Sequence, residues 1–157
     1  MYAWVFGFGL TAMLPLAFVG IVSAAIVVSA ATKNHLPLVY AQLSCITLIS
    51  AFIQWSIGDT MAAGLVISWS FLGPIGALIF RSVSEATLWL LAFVAIVVVS
   101  ALFEPQLLGH PLPVEPHVSA VFTVMNVGTA STLTFAAAAW FMRTIVRERA
   151  RSDALID

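Results

Sequence analysis

Five stretches of apolar residues, each followed by a short polar link or tail, organise this chain from end to end. They run roughly Met1 to Ala31, Leu38 to Ser56, Met61 to Phe80, Val83 to Phe103 and Val118 to Met142. A helix needs about 20 mostly apolar residues to cross a hydrocarbon core about 30 Å thick, and each block meets that length. The pattern predicts an all-α polytopic transmembrane bundle of about five spans over residues 1–142, followed by a basic juxtamembrane helix over 143–157.

The links carry charge of alternating sign. Lys33 and His35 follow the first block, Arg81 follows the third, and Arg143, Arg147, Arg149 and Arg151 follow the fifth. Asp59 follows the second, while Glu104, His110, Glu115 and His117 occupy the link after the fourth, which holds no Lys or Arg. Because short cytoplasmic loops are enriched in Lys and Arg, this alternation predicts the N-terminus outside and the C-terminus in the cytoplasm. Composition agrees: 62% hydrophobic and 8% charged residues lie far from the makeup of soluble domains. The first block has no basic segment before it and is about twice the length of a signal-peptide core, so it is read as a retained span. Cys45, the single cysteine, sits mid-block as a small packing residue and can form no disulfide within the chain.

Some positions within the blocks stand out. Trp4, Trp55 and Trp140 fall near block ends, where an indole favours the headgroup layer. Trp69 lies near the middle of its block, and an indole at that depth calls for an acceptor on a neighbouring helix. Gly73, Pro74, Gly76 and Ala77 follow it, predicting a kink near residues 70 to 74 and a small surface for close packing, either as a fixed bend or as a signal-transmitting hinge. The fifth block is the most polar. Its Asn126, Ala130 and Thr134 stripe, beside Gly128, predicts a central or dimer-facing helix. A polar transport path is the competing reading, but no Lys, Arg, His, Asp or Glu lies deep inside a span to mark one. Past Met142 the helical pattern continues without Gly or Pro through Arg143, Arg147, Glu148, Arg149 and Arg151, as either a lipid-binding basic tail or a linker to a cytosolic domain.

From about Met13 onward the chain resembles the membrane anchor that precedes the catalytic domain of bacterial class III adenylate/guanylate cyclases, of the cyanobacterial and proteobacterial type. The residues that carry the resemblance are Leu14-Pro15-Leu16, Gln42-Leu43, Ile53-Gln54-Trp55 with Gly58, the run Trp69 to Phe80, Ala86 and Trp89, Ser100 to Pro105, Leu112-Pro113, and Phe122 with Asn126 and Gly128. The most specific is Trp-Ser-x-x-x-Pro-x-Gly-Ala-Leu-x-Phe. The resemblance implies a six-span anchor of the bacterial inner membrane, of which this chain begins at the second span, and a homodimer that brings two cytosolic catalytic domains together.

It further implies that Mg2+ and ATP are handled by a cyclase domain this sequence does not contain. The seven carboxylates show no pairing suited to catalysis, and no phosphate loop or metal-ligand spacing occurs, so no catalytic, cofactor-binding or metal residue is assigned and the polypeptide alone is expected to be inert. Two other functions fit the same pattern: a small accessory subunit of a larger membrane complex, and the input domain of a sensor kinase or diguanylate cyclase. No feature points to nucleic acid.

Overall fold

The computed structural model describes residues 10–107 and 114–153 and is all-α, with no strand among them. Helix α1 covers Leu10–Thr32, α2 covers Leu36–Ile57, a 3-10 helix covers Val66–Phe71 and runs directly into α3 at Leu72–Phe80, α4 covers Val83–Leu107, and α5 covers Pro116–Asp153. Four of these, α1, α2, α4 and α5, are long and apolar enough to cross a membrane. Their outer surfaces carry large apolar side chains open to the surroundings, such as Leu16, Val27, Leu88 and Phe135. In water such a surface would aggregate; in a bilayer it is the solvated face. This is a membrane protein.

The third apolar block departs from the expected span of Met61 to Phe80. Hydropathy sees an uninterrupted run, but three backbone positions forbid a helix there. Gly58 ends α2 in the left-handed region at φ 81, and Gly64 and Leu65 follow at φ 62 and 54. Left-handed residues cannot continue a right-handed helix. Residues 58–65 therefore form a turn, and helix resumes only at Val66. The kink expected near residues 70 to 74 is instead the change from 3-10 to α winding between Phe71 and Leu72. Pro74 sits in the first turn of α3, where its missing N–H leaves no helical bond unmade.

Though short, the 3-10 helix and α3 together rise about 25 Å and return along α2 from one end of the bundle to the other. Val66 packs with Ile53 and Ile57, Ser70 donates to the Thr47 carbonyl at 2.7 Å, Ala77 packs on Leu43, and Phe80 borders the same recess as His35. Small residues make the approach this close. A Cβ on Gly73 would collide with Thr47 Oγ1, and one on Gly76 would lie 2.8 Å from Leu43 Cδ2. Helix α2 is thus the centre of the bundle, touching α1, the 3-10 helix, α3 and α4.

The remaining helices fix the direction of every crossing. Ser29 near the end of α1 accepts a hydrogen bond from the Leu38 amide at 3.2 Å at the start of α2. Tyr40 of α2 donates to Glu85 of α4 at 2.9 Å, and Glu85 also pairs with Arg81 at 2.7 Å. At the opposite end Trp55 Nε1 donates to Ser100 Oγ at 2.8 Å. Helix α5 begins beside Met61 and Gly64 and runs back toward α3. Lys33, His35 and Arg81 therefore gather at one end of the bundle and Asp59, Glu115 and His117 at the other.

Gly64 is the tightest point in this arrangement. A Cβ there would stand 2.7 Å from the Phe122 carbonyl carbon and the Thr123 amide of α5, on a backbone already left-handed. Gly64→Ala is expected to destabilise the bundle by about 2 kcal/mol or more. Gly20, where an added Cβ would meet nothing within 4 Å, is the control: Gly20→Ala should leave the thermal midpoint in detergent unchanged or slightly raised.

Candidate functional site

Where the 58–65 turn meets α5, buried polar groups converge on one side chain. Asn126 is 8% exposed, between Phe122 and Ala130 on the buried stripe of a helix whose other faces are open. Its Nδ2 donates to the carbonyl of Gly64 at 3.0 Å and, at 3.4 Å, to that of Ala63, while its Oδ1 accepts from Trp69 Nε1 at 3.2 Å. Within the turn the carbonyls of Asp59, Thr60 and Met61 accept from the amides of Ala63, Leu65 and Gly64, whereas those of Ala63 and Gly64 are met from outside it. Asn126 is the partner brought in from another helix. Trp69, whose depth in its block called for an acceptor, finds it here.

The rest of the turn is held by neighbours of the same kind. Asp59 Oδ1 accepts from the Ala62 amide at 2.6 Å, Gln54 Nε2 donates to Thr60 Oγ1 at 2.9 Å, and the Ser119 hydroxyl of α5 donates to the Met61 carbonyl. Gln54 is 1% exposed, and its Oε1 has no partner among the described residues. Phe122, 1% exposed, closes the node by packing over Gly64. Of these residues, Asp59 was read only as a link charge, and Thr60, Ser119 and Gly64 carried no distinguishing signal, Gly64 because the sequence pattern placed it inside a helix.

The remaining sequence-predicted positions separate. Asn126 and Ala130 are both buried within the chain, Thr134 is half-buried, and Gly128 points outward, with nothing within 4 Å of where a Cβ would stand. The stripe and Gly128 therefore lie on different faces of α5. Gly73, Pro74 and Ala77 are buried and Gly76 is half-buried at the α2–α3 contact. Arg143, Arg147, Glu148, Arg149 and Arg151 are exposed along the far end of α5, with Glu148 and Arg151 paired at 3.2 Å. Such an exposed pair adds little to stability. Trp4, His110 and residues 154–157 lie outside the described residues.

Chemically the node consists of amides, hydroxyls, an indole and carbonyls, with one carboxylate used as a turn cap. Among the described residues no three His, Cys, Asp or Glu side chains come together to hold a metal. What these groups can do is fix one helix against another in a single register. A double-mutant cycle tests this: Asn126→Ala is expected to lower stability by about 1 to 2 kcal/mol, and its coupling to Trp69→Phe should be about 0.6 kcal/mol. Coupling of zero would show that the indole and the amide act independently. Comparison of the chain with protein-family models, with curated proteins and with solved structures finds no match.

Proposed function

We propose that this chain is the membrane anchor and transducing domain of a class III adenylate or guanylate cyclase, seated in a bacterial inner membrane with its C-terminus in the cytoplasm. The observation that carries this reading is α5, a single helix of 38 residues from Pro116 to Asp153. It rises about 57 Å, whereas the hydrocarbon core takes only about 30 Å. Its first turns are held by the Asn126 node, and its last turns, bearing four arginines, continue beyond the bundle at the Lys33 and Arg81 end. The clustering of basic residues at that end supports a cytoplasmic location. The sequence resemblance supplies the output: catalytic sites formed between two copies, which an anchor that pairs two chains would concentrate to the millimolar range.

Pairing through α5 falls to its outward face around Gly128, since Asn126 and Ala130 are engaged within the chain. Gly128→Leu should weaken association in a detergent or lipid dimerisation assay, while Ala130→Leu should lower the stability of the single chain. Loss of association from neither would place the interface on another helix.

The transducing role is tested in the protein joined to its native output domain or to an adenylate cyclase domain. One residue inserted between Arg149 and Ala150 turns everything downstream by about 100°, while seven restore nearly the original face with a shift of about 10 Å. Activity or its regulation is expected to change with one inserted residue and largely to return with seven. Equal activity across the series would leave α5 a passive tether. On a Cys45→Ala background, a cysteine at Val114 should react with an impermeant thiol reagent in intact cells and one at Arg147 should not; the reverse pattern overturns the orientation.

A further inference from the structure

Between α1 and α3, along one stripe of α2, the bundle is open. At the basic end a recess of about 650 Å³ is bordered by Lys33, Asn34, His35, Val39, Gln42 and Phe80. It continues into a second of about 220 Å³ that shares Val39, Gln42 and Phe80 and reaches Phe18, Ile46 and Gly76. From Leu36 to Ile46 this furrow runs about 15 Å, the depth of one leaflet of hydrocarbon. Below the mouth formed by Lys33, Asn34 and His35, its walls are apolar apart from one side chain. Gln42 is exposed within a membrane span, about 10 Å along α2 from His35, and makes no hydrogen bond with any described residue. An amide left unpaired against lipid tails is unfavourable, so its position calls for a polar partner that enters with the occupant.

The mouth carries charge of one sign. Lys33 is exposed and pairs with no carboxylate among the described residues, whereas Arg81 nearby is already bound by Glu85. The amides at the start of α2 are also taken: Leu36 N–H donates to Asn34 Oδ1 at 3.0 Å, Leu38 to Ser29 and Val39 to the His35 carbonyl at 3.1 Å. An anion at this mouth is therefore held by the Lys33 ammonium, with the Asn34 amide and His35 beside it, and not by the helix end.

We infer that this furrow is a binding site for an anionic phospholipid, with the phosphate at Lys33, a glycerol ester or hydroxyl at Gln42 and one acyl chain lying between Phe18, Ile46 and Gly76. Charge at the mouth, a polar side chain about 10 Å along α2 from His35 and apolar walls beyond it at Ile46, Phe18 and Gly76 follow the order of the three parts of such a molecule. The furrow lies wholly within the bundle, so the lipid site does not depend on the function proposed above.

A substitution at the mouth separates binding from folding. Lys33 has φ 54, a conformation that glycine adopts without strain, so Lys33→Gly removes the charge while relieving the backbone. The full chain in neutral detergent is mixed with phosphatidylglycerol, phosphatidylcholine of the same acyl chains, or inorganic phosphate, and retained lipid is counted by native mass spectrometry alongside the thermal midpoint. The wild type is expected to retain phosphatidylglycerol over phosphatidylcholine, and Lys33→Gly to reduce that preference about fivefold, the effect of one lysine charge at an anionic surface, with its lipid-free midpoint unchanged or raised. Lys33→Arg should keep the preference, Gln42→Leu should weaken retention of both lipids, and Arg143→Ala with Arg147→Ala should change neither. Equal retention of the two lipids by the wild type, stabilisation by phosphate alone, or a preference that follows the arginine tail in place of Lys33 would each overturn the site.

Discussion

Two backbone carbonyls of the 58–65 turn, those of Ala63 and Gly64, take their hydrogen bonds from a side chain on another helix, and meeting that demand sets how the helices come together. The solution determines much of the architecture. Asn126 must sit where its amide reaches the carbonyls of Ala63 and Gly64, which fixes the depth and rotation of α5. Its oxygen then accepts from Trp69, which fixes the 3-10 helix in the same frame. Gly64 permits the approach, because any larger residue would strike the backbone of α5. Remove the turn, and α5 has no directional reason to occupy one register over another, since apolar helices in lipid gain little from specificity-free contact.

The second constraint is closeness. Helix α2 and the returning segment are drawn together through Gly73, Gly76 and Ala77, and that proximity lets Ser70 reach the Thr47 carbonyl, a helical carbonyl with a spare lone pair. Around this pair the outer helices keep most of their surface open to the surroundings. Helices α1 and α4 have only 11% of their spanning windows buried, against 33% for α2. Side-chain bonds at their ends, Ser29 to Leu38, Tyr40 to Glu85 and Trp55 to Ser100, set their registers where apolar packing alone would allow sliding.

Much of this was legible in the sequence, for identifiable reasons. The grouping of Lys33, His35 and Arg81 at one end and of Asp59, Glu115 and His117 at the other was legible, because alternate links of an up-and-down bundle meet at the same end. Trp69 could be read as an indole needing an acceptor because its depth in the block was countable. The turn was not legible, because Met61, Ala62, Ala63 and Leu65 are as apolar as any helix residue, and hydropathy counts transfer energy without regard to dihedral angle. Nor could the sequence tell which side of α5 the Asn126, Ala130 and Thr134 stripe would face: a polar stripe satisfies itself equally well against its own chain or a second copy. Here the chain's own turn had carbonyls to offer, and Asn126 with Ala130 turned inward.

Helix α5 touches the 3-10 helix and α3, and no other described helix. It is clamped near one end and projects from there as a lever. From Ala130 to Asp153 the arm measures about 35 Å, so a tilt of only about 5° at the clamp swings its tip by about 3 Å. Helices that slide by such amounts are enough to repack an interface between subunits. In the transducing role proposed for this chain, the geometry of one asparagine's hydrogen bonds is thus what would set the position of a helix tip about 35 Å away.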